Sequence, residues 1–210
     1  MKYLYIDTSS SFLYSAILED DKIIAKVSED YGQSLSEIAL PKIAKMFEEN
    51  NIKPIDIDKI IVVNGPGSFT GIRIGITIAK VYAWSLGTKI TTITSLEAMA
   101  TSNDSNKLKV PIINARRGYV YGAIYDNDKE LLKPQHIKLE DLKDKLKDTD
   151  KYIFITNDEF ENLENIEKYE PDFIKIISKY KEKNEINPHL VNPEYLKLTA
   201  AEESRLWYSV

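Results

Sequence analysis

The run Asn64-Gly65-Pro66-Gly67-Ser68-Phe69-Thr70-Gly71-Ile72-Arg73-Ile74-Gly75 constrains this chain more than any other stretch. It follows the short apolar run 60–63 and opens a helical pattern that continues to Leu86, so it reads as a strand, a tight turn and a helix start. Gly65 and Gly67 flank a proline of fixed φ, which lets the backbone turn sharply at the strand end, and Ser68 or Thr70 supplies a helix cap. A helix that begins directly after such a turn aims free N–H groups and the positive end of its dipole above the strand, where many folds hold a phosphate. The phosphate templates do not fit. A Walker A loop needs Gly-Lys-Ser/Thr where this chain has Gly71-Ile72-Arg73, and G-x-G-x-x-G does not match glycines at 65, 67, 71 and 75.

The rest of the chain narrows the chemistry. There is no cysteine, which excludes a disulfide framework, a thiolate nucleophile and a Cys-ligated zinc. The two histidines, His136 and His189, have no acidic or thiol neighbour at ligand spacing and read as surface residues. A net charge of −5 opposes binding RNA without a partner. Arginine is scarce, four residues against 24 lysines, yet Arg73, Arg116 and Arg117 sit inside the two best motifs. Their simplest role is to cap turns and pair with nearby carboxylates. Residues 1–7 are too short and too soon charged for a signal peptide, and no window approaches the ~18 apolar residues of a membrane span, so a cytoplasmic location is expected.

In chain order, 2–6, 12–19 and 22–28 predict three antiparallel strands, with Asp7-Thr8-Ser9-Ser10-Ser11 as the first turn. Residues 33–50 place Leu35, Ala39, Ile43, Met46 and Phe47 at helical spacing, with Pro41 inside as either the first turn or a kink. After the strand 59–64 and the helix 68–86, Gly87 is a stop. Residues 88–93 form a strand, and Thr94 with Glu97 has capping-box spacing for a helix to about Thr101. The polar run 101–107 sets the expected boundary between a lobe at 1–101 and a shortened second lobe at 102–210. There, 110–115 and 119–125 make a hairpin about Arg116-Arg117-Gly118, 139–146 and 172–183 are helical, and 152–156 is a strand. Tyr119, Tyr121 and Tyr125 belong to a half-buried sheet face. A last helix is expected from Thr199 to near Trp207, turned back on the first lobe, and no internal repeat is visible.

Asp7-Thr8-Ser9, Asn64 to Gly75, Thr94-Ser95-Leu96-Glu97, and Asn114-Ala115-Arg116-Arg117-Gly118 with Val120-Tyr121 together resemble the TsaB family. The resemblance runs from Met1 to about Asp126 and returns at Asn192-Pro193-Glu194-Tyr195-Leu196. Its specific part is Gly-Pro-Gly-Ser-Phe-Thr-Gly. The resemblance implies an α/β fold of the actin-like, sugar-kinase-like (ASKHA) type, two lobes each with a mixed sheet flanked by helices. It also implies a non-catalytic partner of TsaD in threonylcarbamoyladenosine modification of tRNA, with the ATP-binding TsaE as third component. A homodimer in isolation, and tRNA met only through the complex, follow from the same likeness. Many TsaB proteins keep a histidine six residues before the proline of the first helix, where this chain has Leu35.

In such folds the turn between the first two strands contacts phosphates and its aspartate holds a metal, which makes Asp7, Thr8 and Ser9 phosphate-loop candidates. Without a second such loop, an ordinary serine-rich turn is the preferred reading. No catalytic or metal-ligating set stands out, and no resident cofactor is expected, ATP or ADP being implied only at an interface shared with a partner. The rival is a small actin-fold ATPase or kinase, or a peptidase. On the second helix Gly71, Gly75, Ala79 and Ala83 form a small-residue ridge, bordered by Ile72, Ile76 and Tyr82, which faces either the chain's own sheet or first helix or a partner helix. The resemblance, to proteins that pair through helices of the first lobe, implies the partner, with Leu40, Ile43 and Phe47 of the first helix beside it.

Overall fold

The computed structural model describes residues 1–146 and 151–197. Three antiparallel strands open the chain, β1 (Lys2–Asp7), β2 (Phe12–Glu19) and β3 (Lys22–Asp30), followed by helix α1 (Leu35–Glu49). Strand β4 (Lys59–Val63), helix α2 (Phe69–Leu86) and strand β5 (Lys89–Ile93) form the crossover, with β4 parallel to β1 and β5 parallel to β4. The first sheet runs β3-β2-β1-β4-β5. Helix α3 (Ser95–Ser102) then leads to β6 (Leu108–Asn114), β7 (Tyr119–Asp126), β8 (Lys129–Lys138), α4 (Leu139–Asp144), β9 (Tyr152–Ile155), β10 (Ile166–Glu167) and α5 (Phe173–Tyr180). The second sheet, written from its β8 edge, runs β8-β7-β6-β9-β10. Its antiparallel and parallel pairings match those of the first sheet strand for strand. The fold is therefore a duplicated α/β unit, the actin-like, sugar-kinase-like architecture, although no sequence repeat betrays it.

The helix limits follow local chemistry. Ser68 caps α2 by accepting the Gly71 N–H, and Gly87 ends it with φ 69°. Thr94 and Glu97 form the reciprocal capping box of α3. Pro41 lies inside α1, which starts earlier, at Leu35, after a short 3-10 turn at Gly32–Ser34. Ser34 stands at the cap position of α1 without a side-chain hydrogen bond. Strand β8, for which the sequence gives no expectation, contains Pro134 and is an edge strand, where a residue without an N–H is tolerated. It carries His136, which is half-buried and stacked on Tyr119 at 4.7 Å, not a plain surface residue. The helix expected at Thr199 to Trp207 lies outside the described residues.

Strand alternation sorts the core into layers. Leu4, Ile6, Ile60 and Val62 face α1 and α2, while Tyr3, Tyr5, Ile61 and Val63 face the other way. That second face shares one apolar cluster with Ala123, Tyr125, Ile153 and Ile155 of the second sheet, joined by α3 and α5. Val110, Ile112, Val120 and Phe154 form the outer core under α4. After α5 the chain returns to the first sheet: Ile186 N–H donates to Ile90 O, and Lys59 Nζ donates to Lys181 O and Lys183 O at 2.7 and 2.6 Å. Lys80 Nζ then donates to Val191 O at 2.9 Å, holding the returning strap along α2.

This layering corrects the expected partner surface. Gly71, Gly75, Ala79 and Ala83 point into the first sheet, and Ile43, Phe47, Ile72 and Ile76 are buried with them. Tyr82 is half-buried against Phe47, and Leu40 alone of the expected set is exposed. A glycine and alanine ridge lets a helix approach closely, and here it is the chain's own sheet that approaches. Ala83→Arg would bury a long charged side chain at a position 1% exposed. The variant should lose its cooperative melting transition, whereas Leu40→Arg should melt within a few degrees of the parent. A folded Ala83→Arg protein would refute this packing.

Candidate functional site

The glycines of the motif are places where other backbone comes too near for a side chain. A Cβ on Gly67 would lie 2.1 Å from Ser9 O, one on Gly71 2.0 Å from Thr8 O, and one on Gly75 2.4 Å from Thr8 Oγ1. Gly67 also has φ 156°, in the region that favours glycine. The β1–β2 turn is thus seated on the first two turns of α2. Thr8 Oγ1 donates to Gly71 O at 2.7 Å, and Ser68 N–H donates to Ser9 O at 2.7 Å. The fourth contact comes from the strap: a Cβ on Gly65 would lie 2.8 Å from Glu194 O, and Glu194 N–H donates to Asn64 O.

This seating uses up most of the groups a phosphate loop would offer. The Ser9 N–H donates to Asp7 Oδ1 at 2.8 Å, and Asp7, Thr8 and Ser9 are buried at 2%, 1% and 7% exposure. Asp7 Oδ2 faces the Tyr5 hydroxyl at 3.4 Å. Burial pushes the Asp7 carboxyl above its ordinary range, against the pull of the Ser9 and Tyr5 donors.

The turn is also one wall of a cleft of about 650 Å³ between the two sheets. Ser9, Ser10 and Ser11 line it from the β1–β2 turn, and Asn114, Ala115 and Arg116 from the β6–β7 turn. These turns occupy equivalent places in the two duplicated sheets, so the fold brings the Asp7 and Arg116 motifs face to face. Arg116 and Arg117 both adopt left-handed φ, 66° and 53°, an uncommon conformation for arginine. The turn is held by the Arg116 N–H donating to Asn114 Oδ1 and the Tyr119 N–H donating to Arg116 O. Arg73 is not part of this group: its guanidinium stacks over Phe69 at 3.7 Å and Nε donates to the Tyr195 hydroxyl at 2.8 Å.

Asn157, Asp158 and Tyr169 complete the cleft, and sequence reasoning missed them. Asn157 holds Tyr169 by a pair of backbone hydrogen bonds and donates to the Tyr14 hydroxyl at 3.1 Å. His189 is far from this site in kind: it contacts Trp84 beside α2, while Lys80 takes its carbonyl.

The raised Asp7 carboxyl has a measurable consequence. A group whose folded pKa lies above its unfolded value contributes stability below the unfolded pKa and loses it as pH rises through the folded pKa. Ionised Asp7 is therefore a cost at neutral pH. Asp7→Asn keeps an acceptor for the Ser9 N–H and should melt a few degrees above the parent at pH 7.5, the margin vanishing as pH falls to the ordinary carboxylate range. A variant that melts lower at pH 7.5 would contradict this assignment.

Comparison with known proteins identifies the family and agrees with the fold. Residues 23–170 match the family described as TsaD: tRNA N6-adenosine threonylcarbamoyltransferase. The chain is 34% identical to the tRNA threonylcarbamoyladenosine biosynthesis protein TsaB of Bacillus subtilis, with 96% of each chain covered. It is 31% identical to the protein of the same name from Buchnera aphidicola, covering 80% of this chain and 84% of that one. A crystal structure of an uncharacterized Pseudomonas aeruginosa protein with similarity to peptidase YeaZ superposes with a TM-score of 0.77 at 18% identity, over 93% of this chain and 99% of the other. That likeness speaks to the fold alone. The family description covers more than half of the chain and the Bacillus relative nearly all of it, so the chain belongs to the TsaD-related family and, within it, to the TsaB family.

Proposed function

We propose that this chain is a non-catalytic subunit for threonylcarbamoyladenosine modification of tRNA, which binds and activates a TsaD-type protein in the cytoplasm, with TsaE as third component. The observation that carries this reading is the similarity to TsaB proteins along nearly the whole length. The site is in keeping with it. The polar groups of the Asp7-Thr8-Ser9 turn hold α2 and each other, and among the described residues no group of three His, Cys, Asp or Glu side chains is placed to hold a metal. In this reading the lobes are 1–101 and 102–210, the second sending its strap after α5 back along the first sheet and α2, tRNA is met only through the complex, and the chain pairs with itself when the partner is absent.

With the small-residue ridge turned inward, the docking surface is the outer side of α1 and α2. Leu40, Val81 and Trp84 are 58%, 58% and 67% exposed there. Exposed tryptophan is the side chain most often dominant at interfaces, where its truncation costs about 2 kcal/mol or more. Trp84→Ala should weaken co-purification with the TsaD-type protein at least about thirtyfold while leaving the melting curve of the isolated chain unchanged. Undiminished binding would place the partner elsewhere.

The rival reading, a small actin-fold ATPase or kinase, has the same cleft to work with. It is tested on the purified chain, which should show no transfer, peptidase or steady ATPase activity. ATP turnover that survives repurification and disappears in Asp7→Ala would establish the enzyme instead.

A further inference from the structure

The cleft between the sheets has a charge pattern opposite to that of a phosphate site. Its acidic and basic side chains are Asp7, Asp30 and Asp158 against Arg116. Asp30 and Asp158 each accept a backbone N–H, from Gly32 at 2.9 Å and Asn114 at 2.6 Å. Asp7 is 2% exposed, its acceptor contacts are the Ser9 N–H and the Tyr5 hydroxyl, and among the described residues no cation pairs with it. Tyr169, 8% exposed, lines the same cleft, its hydroxyl close to Tyr5, Ser102 and Asp7 but with none of them in full hydrogen-bonding geometry. The remaining walls are mixed: aromatic and aliphatic at Phe12, stacked on Tyr14 at 5.2 Å, Phe69, Tyr121, Met99 and Ile112, and hydroxyl or amide at Ser9, Ser10, Ser11, Asn114 and Asn157.

A buried carboxylate without a counter-charge and a buried hydroxyl whose contacts are poorly aligned each destabilise the fold unless a ligand satisfies them. A cation answers both, since the carboxylate takes its charge and the tyrosine oxygen accepts its N–H. Aromatic faces attract organic cations, whereas among the described residues no three His, Cys, Asp or Glu side chains are grouped to hold a metal ion. The volume, about 650 Å³, suits a small molecule. We propose that this cleft binds a small organic ammonium, its charge toward Asp7, its N–H toward the Tyr169 hydroxyl and its carbon body against the aromatic wall. Burial raises the Asp7 carboxyl, and a bound ammonium would draw it back down.

The test is calorimetric titration of the full chain at pH 8 with phenethylamine, which joins a primary ammonium to a ring, and in parallel with 2-phenylethanol, MgCl₂, KCl and Mg-ATP. Saturable binding of phenethylamine is expected, at least about tenfold tighter than the uncharged alcohol, with none for the metal ions or the nucleotide. Asp7→Asn should weaken it at least about tenfold and Tyr169→Phe a few-fold, with the circular dichroism of both unchanged. Absence of saturable amine binding, equal affinity for the alcohol, tighter binding of Mg²⁺, K⁺ or Mg-ATP, or unchanged affinity in Asp7→Asn would each overturn the proposal. Should Asp7→Asn fail to fold, unchanged affinity in Tyr169→Phe overturns it alone.

Discussion

The structure depends on the seating of one turn upon one helix. Thr8 and Ser9 lie so close to the start of α2 that positions 67, 71 and 75 admit no side chain beyond hydrogen, and two hydrogen bonds lock the contact. This single junction fixes the end of β1 against the helix that follows β4, and so sets the crossover of the first sheet. The position of Asp7 at the floor of the cleft and the direction of α2 follow from it. Glu194 closes the same motif from the opposite side through Gly65, tying the returning strap to the crossover.

That junction explains which parts of the molecule were legible in the sequence. The strands of the first sheet, the caps at Ser68 and Thr94 and the stop at Gly87 were readable because each rests on local chemistry within a few residues. The purpose of the glycines was not. A glycine required by close approach looks the same in sequence whether the approaching group is a phosphate, a partner helix or the chain's own carbonyl, and only tertiary geometry separates the three. The i+4 ridge was correctly seen as a close-packing surface and assigned to the wrong neighbour. Strand β8 escaped because an edge strand needs no clean alternation and tolerates Pro134.

The cleft was legible only in halves. Asp7 and Arg116 stood out in separate motifs more than a hundred residues apart, and nothing local says that they face one another. The duplicated strand order does, because the turns after β1 and β6 are equivalent positions of the two sheets. Tyr169 and Asn157 enter from stretches without any motif, positioned by hydrogen bonds to one another across twelve residues of irregular chain and the short strand β10. The result is a cleft whose carboxylates outnumber its cations, on a fold whose glycine motif serves internal packing.

The central claim is that the motif glycines make room for the chain's own Thr8, and a double-mutant cycle between positions 8 and 75 tests it most directly. A Cβ at Gly75 would collide with Thr8 Oγ1 at 2.4 Å, while the next atoms, Ile6 Cγ2 and Thr8 Cβ, lie at 3.5 and 3.7 Å in ordinary contact. In the parent, Gly75→Ala should destabilise by about 1–3 kcal/mol through overpacking. In a Thr8→Ala background the collision is gone, and the same change should be neutral or stabilising by up to about 1 kcal/mol, the helix preference of alanine over glycine. Urea unfolding of the four proteins gives the coupling; a value well above about 0.5 kcal/mol is predicted, and additive effects within that margin would contradict the account.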